Sequence, residues 1–500
     1  MTLCLSLLLR DPEETRRRME AAQGLAGLVE LRLDAAPDLD VEAFVRASPL
    51  PVIATCMRAA DGGLWRGSEE ERNARLRAAA RGGARWVDLP LGAPDPGGLP
   101  SSTRILRSWH GRPGEAADLG EVLRRLEEGL RPGGAAKVVP WAEDPREAMA
   151  VLPLYGQARH PLVAFAMGPG GRASRAWSPV FGAPWVYTAW SPEEATAPGQ
   201  WTLRELFSLY PPGGPGPRTQ LFAVVGRPVG HSRSPLLWNT AFRILGLDAF
   251  YLAVEPADFE GFLAAHSHPA FRGFSVTAPF KGAALAAADR ASEAARAVGA
   301  ANTLRRGPHG WEAFATDGPA ALDALAGAGL EGGSPVLILG AGGAARCAAF
   351  EAVRRGHPVT VAARRPEQAR ELAAALAPAL GPEAQLAARD LAELRREDAL
   401  ADFGGVIQAT PLGSRAAPGD PLEGAVFRPG QAVLDMVYDP PETALLRRAR
   451  AAGARTAGGG RMLLLQMLEQ FRLATGLEAP REPLERALEA DLAAAAEGEA

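Results

Sequence analysis

A chain of 500 residues is long enough for about three domains of roughly 150 residues each. With 47% hydrophobic and 22% charged residues it is far from disordered composition, and a net charge of −4 gives no reason to expect nucleic acid or an anionic membrane as partner. Only two of its 54 basic residues, Lys137 and Lys281, are lysine, which makes them candidates for work that needs a deprotonatable amine rather than a fixed guanidinium charge.

The start of the chain, Met1 to Leu9, is apolar but lacks a basic leader and runs into Arg10-Asp11-Pro12-Glu13-Glu14. It reads as a buried strand followed by a helix start, not as a signal or transit peptide. Seven further short apolar runs follow, at Leu28–Leu33, Pro51–Cys56, Arg85–Leu89, Thr103–Trp109, Ala136–Val139, Leu162–Met167 and Trp185–Thr188. Helical Ala/Glu/Arg stretches separate them, so the first 212 residues are expected to form a (β/α)8 TIM barrel, with chemistry at the C-terminal strand ends. Lys137 sits in the sixth run, where a lysine is costly unless neutral, paired or covalently used. The fifth run ends in Trp109-His110.

Pro211-Pro-Gly-Gly-Pro-Gly-Pro217 suits neither helix nor strand and reads as a linker, set at 213–220. Strands are expected at Leu221–Val225, Ala249–Val254 and Gly273–Thr277, in a first α/β lobe over 221–316. A second lobe, 317–455, opens with a helix near Asp317 and carries Val336-Leu-Ile-Leu-Gly340-Ala341-Gly342-Gly343-Ala344, a strand and a glycine-rich turn into a helix. Glycines there let the backbone approach a pyrophosphate at a helix N-terminus, as in a Rossmann dinucleotide fold. The next strand ends in Arg364-Arg365, which favours NADP over NAD because a 2′-phosphate wants arginine; Glu367 lies nearby. Helices over Met462–Leu473 and Pro483–Ala496, within 456–500, are expected to return to the first lobe. Cys4, Cys56 and Cys347 are scattered, odd in number and without metal-site spacing, which fits reduced thiols in a cytoplasmic protein and no metal centre. No apolar run is long enough to span a bilayer.

Two ordered motif sets carry resemblances. His231-Ser232-Arg-Ser234-Pro235, Gly273-Phe-Ser275-Val-Thr277-Ala-Pro-Phe-Lys281, Asn302-Thr303, Thr316-Asp317-Gly318, Thr410-Pro411, Asp435-Met-Val-Tyr438 and Met462-Leu-Leu-Leu-Gln466 together resemble shikimate dehydrogenase over 221–475. The resemblance implies that Ser232, Ser234, Ser275, Thr277, Asn302, Asp317, Tyr438 and Gln466 bind shikimate. It makes Lys281 and Asp317 the catalytic pair, with Gly340, Ala341, Gly342, Gly343, Ala344, Arg364, Arg365, Thr410 and Gly459 holding NADP(H).

In the first half, Glu30-Leu-Arg32, Arg58-Ala-Ala-Asp61, Trp109-His110, Lys137-Val-Val-Pro140, Ser174-Arg175 and Thr196-Ala-Pro-Gly199-Gln200 resemble type I 3-dehydroquinate dehydratase over 1–210. The resemblance implies a Schiff base on Lys137 and His110 as proton shuttle, oriented by Asp61. Glu30, Arg32, Arg58, Arg175, Thr196 and Gln200 would hold 3-dehydroquinate. Asp61 stands where the family has glutamate, and Met57 takes the usual place of the arginine. A one-residue slip turns a side chain to the other face, so Arg58 needs a bulge or shift to reach the site. The expected function is therefore bifunctional: 3-dehydroquinate to 3-dehydroshikimate, then to shikimate. The alternative is a quinate/shikimate dehydrogenase whose inactive barrel serves as scaffold or interaction module.

Overall fold

The computed structural model describes residues 2–497. By compactness the chain divides into two units, one of residues 1–221 with 246–271, the other of residues 222–245 with 272–500.

In the first unit, all eight apolar runs are strands: β1 (Thr2–Leu8), β2 (Leu28–Arg32), β3 (Val52–Thr55), β4 (Trp86–Pro90), β5 (Arg104–His110), β6 (Ala135–Val139), β7 (Leu162–Ala164) and β8 (Trp185–Ala189). They lie parallel in the order β7-β6-β5-β4-β3-β2-β1-β8, with the short β9 (Trp201–Thr202) beyond β8. The ladder of β1 with β8 brings the first and last strands of the TIM barrel together, and no ladder joins β7 to β8 among the described residues. Inward side chains from successive strands, among them Cys4, Leu28, Ile53, Trp86, Leu106, Val139, Val163 and Tyr187, form one core. Strands β2, β6 and β8 are buried along their whole length, as expected where helices cover the outer face. Helices start on side-chain caps: Asp11 accepts from the amides of Glu13 and Glu14, and Ser68 with Glu71 closes a capping box. The unit also contains β11 (Ala249–Val254) and the helix Phe259–Ala265.

The second unit holds two sheets. In the first, β10 (Gln220–Val225), β12 (Phe271–Val276), β14 (Thr303–Gly307), β15 (Gly310–Phe314) and β13 (Arg290–Ala291) lie in that order. The other sheet is wholly parallel: β18 (Leu386–Asp390), β17 (Val359–Ala363), β16 (Val336–Leu339), β19 (Gly405–Gln408), β20 (Ala432–Asp435) and β21 (Arg455–Ala457). Its strand order reverses between β16 and β19, earlier strands being added on one side and later ones on the other, the switch point at which doubly wound sheets open a crevice for dinucleotides. The last two helices span Gly459–Thr475 and Arg481–Glu497. Pro483 therefore falls third rather than first in its helix, still within the first turn, where no intrahelical donor is lost.

Candidate active sites

Each unit contains a polar cavity built at strand ends. In the barrel, a cavity of about 230 Å³ is lined by Glu30, Arg32, Asp61, His110, Lys137, Arg175, Thr196 and Gln200, together with Met57, Phe165 and Tyr187. Lys137 is 5% exposed. Its Nζ lies 3.7 Å from Glu30 Oε1, 3.7 Å from Asp88 Oδ2 and 4.2 Å from the centre of the Tyr187 ring. Glu30 is held at both oxygens, accepting from Ser6 Oγ at 2.5 Å and Thr55 Oγ1 at 3.0 Å. Arg32 makes a two-point pair with Asp34 at 2.9 and 2.8 Å. Gln200 Oε1 accepts from the Thr196 amide at 2.9 Å and so fixes the loop after β8.

His110 is partly buried. Loss of water around its ring, and then the charges of Lys137, Arg32 and Arg175, hold its pKa well below the usual imidazole value, so the ring is neutral. Arg175 is 2% exposed and stacks over Phe165 at 4.3 Å, donating to the Pro198 carbonyl at 3.2 Å. Its Nε has no partner and, among the described residues, no carboxylate pairs with it. Burial pulls its pKa down to about 9. A buried guanidinium without a counter-charge is expensive, and it marks where an anionic ligand belongs.

Beyond β3, Met57 faces the cavity while the Arg58 side chain turns to Asp61 at 2.5 Å and lies 3.9 Å from Glu69. Asp61 lines the cavity with His110, but its carboxylate oxygen is engaged by Arg58. This partly exposed pair is worth at most about 1 kcal/mol, too little to lock the segment. Asp88, which sequence reasoning passed over, is 2% exposed. Its signal was a lone acid in the buried strand Trp86–Pro90.

The second unit's cavity, about 270 Å³, is lined by Ser232, Ser234, Ser275, Thr277, Lys281, Asp317, Tyr438, Gly459 and Gln466. Lys281 donates to Asp317 Oδ2. The other oxygen, Oδ1, accepts from Asn302 Nδ2 at 2.7 Å and Gln466 Nε2 at 2.5 Å. Burial is the largest single influence on Lys281 and would lower its pKa, but the Asp317 charge, the Cys347 thiol and the hydrogen bond to Asp317 together outweigh it, and the amine is held above its ordinary value. Gln470 was also passed over in the sequence. It accepts from Ser275 Oγ at 2.8 Å and donates to the Asn302 carbonyl at 3.1 Å, one helical turn beyond Gln466 on the same face.

The glycine-rich turn fits a dinucleotide. Gly340 has φ +108°, and a Cβ there would meet Thr410 Cγ2 at 2.9 Å. At Gly342 and Gly343 a Cβ would enter open space, and no side chain caps the amides of the helix Gly343–Arg354. These free donors sit at the β16/β19 switch point, where Ala341 and Ala344 add no bulk. Arg364 and Arg365 are exposed at the end of β17, the strand paired with β16, whereas Glu367 lies 3.6 Å from Arg370. Gln408 donates to the carbonyls of Thr410 and Leu412 and accepts from Thr410, which shapes the turn. Gly459 leaves room for the Met436 carbonyl, 2.4 Å from where its Cβ would be.

A barrel with a buried amine, followed by a dehydrogenase with a lysine–aspartate pair and a dinucleotide fold, defines a two-activity enzyme, a lyase joined to an oxidoreductase. The family model for type I 3-dehydroquinase matches residues 3–211, and that for the shikimate dehydrogenase substrate binding domain matches residues 224–304. The chain is 31% identical over 486 residues to the chloroplastic bifunctional 3-dehydroquinate dehydratase/shikimate dehydrogenase of Arabidopsis thaliana, covering 91% of this chain and 79% of that protein. It is 46% identical over 277 residues to the NADP(+) shikimate dehydrogenase of Anaeromyxobacter sp. (strain K), covering 55% of this chain and 97% of the relative. A shikimate dehydrogenase solved with NADP+ aligns at a TM-score of 0.50 and 28% identity, over 56% of this chain and 97% of that one. The chain belongs to the bifunctional 3-dehydroquinate dehydratase/shikimate dehydrogenase family.

Proposed function

We propose that the barrel dehydrates 3-dehydroquinate to 3-dehydroshikimate through a Schiff base on Lys137, and that the second unit reduces 3-dehydroshikimate to shikimate. The uncharged Lys137 amine attacks the ketone carbon; the carbinolamine takes up a proton and loses water, leaving a protonated iminium. That cation makes the neighbouring carbon acidic, and neutral His110 takes its proton. The resulting enamine expels the hydroxyl, which leaves as water with the proton returned by His110. Hydrolysis of the iminium then frees Lys137 and the product. Arg175 receives the substrate carboxylate, and Arg32, Glu30, Thr196 and Gln200 hold its hydroxyls. Asp61 orients His110 and Arg58 closes on the substrate once their mutual pair opens.

When bound, NADPH supplies a hydride to the ketone carbon of 3-dehydroshikimate. Lys281 gives its proton to the oxygen that becomes the new hydroxyl, and Asp317 keeps that amine protonated and aimed. Asn302 and Gln466 occupy the other Asp317 oxygen, so it cannot turn away. Ser232, Ser234, Ser275, Thr277 and Tyr438 bind the remaining hydroxyls and the carboxylate. The amides at Gly342 and Gly343 take the pyrophosphate, and Arg364 and Arg365 favour the 2′-phosphate of NADP. Three buried free cysteines suit a cytoplasmic enzyme.

The observation that carries this reading is Arg175, a buried cation left without a carboxylate beside a buried amine. NADPH oxidation on adding 3-dehydroquinate alone tests it, since both sites must work for a signal. Lys137→Arg is expected to abolish that signal yet leave 3-dehydroshikimate reduction intact, and Lys281→Arg to lose reduction but not dehydration. Full rate in either variant overturns the corresponding assignment.

A further inference from the structure

Two buried carboxylates stand at equal distance from Lys137, but they are not equivalent. Glu30 accepts a hydroxyl hydrogen at each oxygen, from Ser6 and from Thr55. Asp88 accepts at one oxygen only, from Ser108 Oγ at 2.6 Å. Its other oxygen, 3.7 Å from Lys137 Nζ, is buried with no hydrogen-bond partner. A buried charged acceptor left unsatisfied carries its full desolvation penalty, which the fold alone gives no reason to retain.

The chemistry of the amine supplies the reason. An ammonium has three N–H groups to share, whereas an iminium has one, together with a positive charge in a water-poor pocket. The other charged neighbours cannot serve it. Arg32 and Arg175 are cations, and His110 is held neutral. Cys4 stays a thiol, because burial raises its pKa well above the usual value. Tyr187 offers a ring face, and its hydroxyl is likewise kept protonated by burial.

We propose that Asp88 is the counter-ion of the Lys137 iminium, a positioning residue whose free oxygen takes the single iminium N–H while Ser108 holds the other oxygen. The inference rests on the dehydratase reading above. Through that contact Asp88 sets the plane of the C=N bond, and so which hydrogen of the substrate faces His110.

Four proteins test it: wild type, Asp88→Asn, Asp88→Glu and Ser108→Ala. Dehydration is measured across pH, 3-dehydroshikimate reduction is an internal control for folding, and borohydride with 3-dehydroquinate traps the adduct. Asp88→Asn is expected to lower kcat for dehydration at least about 100-fold, with KM within about 3-fold and the reduction rate unchanged. Without the carboxylate the iminium loses its proton more readily, so the alkaline fall of kcat moves to lower pH by about one unit or more. Asp88→Glu should restore the wild-type alkaline limb, and Ser108→Ala, which keeps the charge, should leave that limb in place. A kcat for Asp88→Asn near wild type, or a loss uniform in pH with the alkaline limb unmoved, overturns the proposal. Absence of a trapped adduct in the wild-type protein overturns the dehydratase reading itself.

Discussion

His110 and Lys281 hold opposite charge states for the same physical reason, the balance between lost water and neighbouring charge. Around His110 both effects disfavour protonation: the ring is desolvated, and Lys137, Arg32 and Arg175 are cations. Around Lys281 they oppose each other, and the contributions of Asp317 and Cys347 together exceed the cost of burial. One site thus starts from a base and the other from an acid. For dehydration, kcat, which reports the complex in which Lys137 is already joined to the substrate, is expected to hold its plateau as pH falls past ~6.5, the ordinary imidazole value, and to drop only at more acid pH, because His110 must be neutral to act. A pH–rate profile of the dehydratase reaction checks this, and an acid limb above that value would contradict it. Most of the polar residues that line both cavities could be read from motifs in chain order. What could not be read was orientation. Nothing in the string Cys56-Met-Arg-Ala-Ala-Asp61 says that Met57 faces the cavity while Arg58 turns to Asp61. Asp88 and Gln470 were missed because their role lies in partners on other elements, Ser108 on β5 and Asn302 before β14.

At the scale of elements, Asp317 is placed by a close helix crossing. Asp317 begins the helix Asp317–Gly327, and a Cβ on the next residue, Gly318, would sit 2.4 Å from the Cys347 carbonyl on the glycine-loop helix. Only a glycine lets these helices approach so closely. Gly318→Ala is therefore expected to destabilise the protein by about 1–3 kcal/mol and to slow 3-dehydroshikimate reduction, with dehydration unchanged. Thermal melting and the two separate rates check it. Apolar runs flanked by helical stretches were legible as strands throughout the barrel, and β10, β11, β12, β16 and β17 were legible in the same way. The hairpin of β14 and β15 was not, since polar and half-exposed residues such as Arg305, Arg306 and Glu312 interrupt any apolar run. The edge strand β18 is similarly half-exposed, and β19 and β20, as short and buried as β16, lack the glycine-rich turn that marked it.

At the scale of the molecule, acid tolerance is set partly by His266 in the first unit. It is fully buried, stacked on Phe262 at 3.9 Å and edge-on to Trp177 at 5.2 Å, and burial pushes its pKa down to about 4. Unfolded, it titrates near 6.5, so between those values the unfolded chain binds the extra proton. The stability from keeping His266 neutral is complete above pH ~6.5 and is lost progressively as pH falls toward ~4, amounting to roughly 3 kcal/mol. Denaturant titrations across this range should show that loss, and His266→Gln should flatten the dependence even if it lowers stability at neutral pH.

Finally, both lysine side chains of this protein line the two cavities described above: Lys137 is nearly inaccessible and the Lys281 side chain is 22% exposed. The outer surface is consequently almost inert toward amine chemistry. Reagents specific for lysine side chains, and lysine-specific proteases, find no lysine on the folded protein outside its two cavities. On the roles proposed for Lys137 and Lys281, acylation of either side chain removes an activity, and labelling of lysine side chains reports the occupancy of the two cavities.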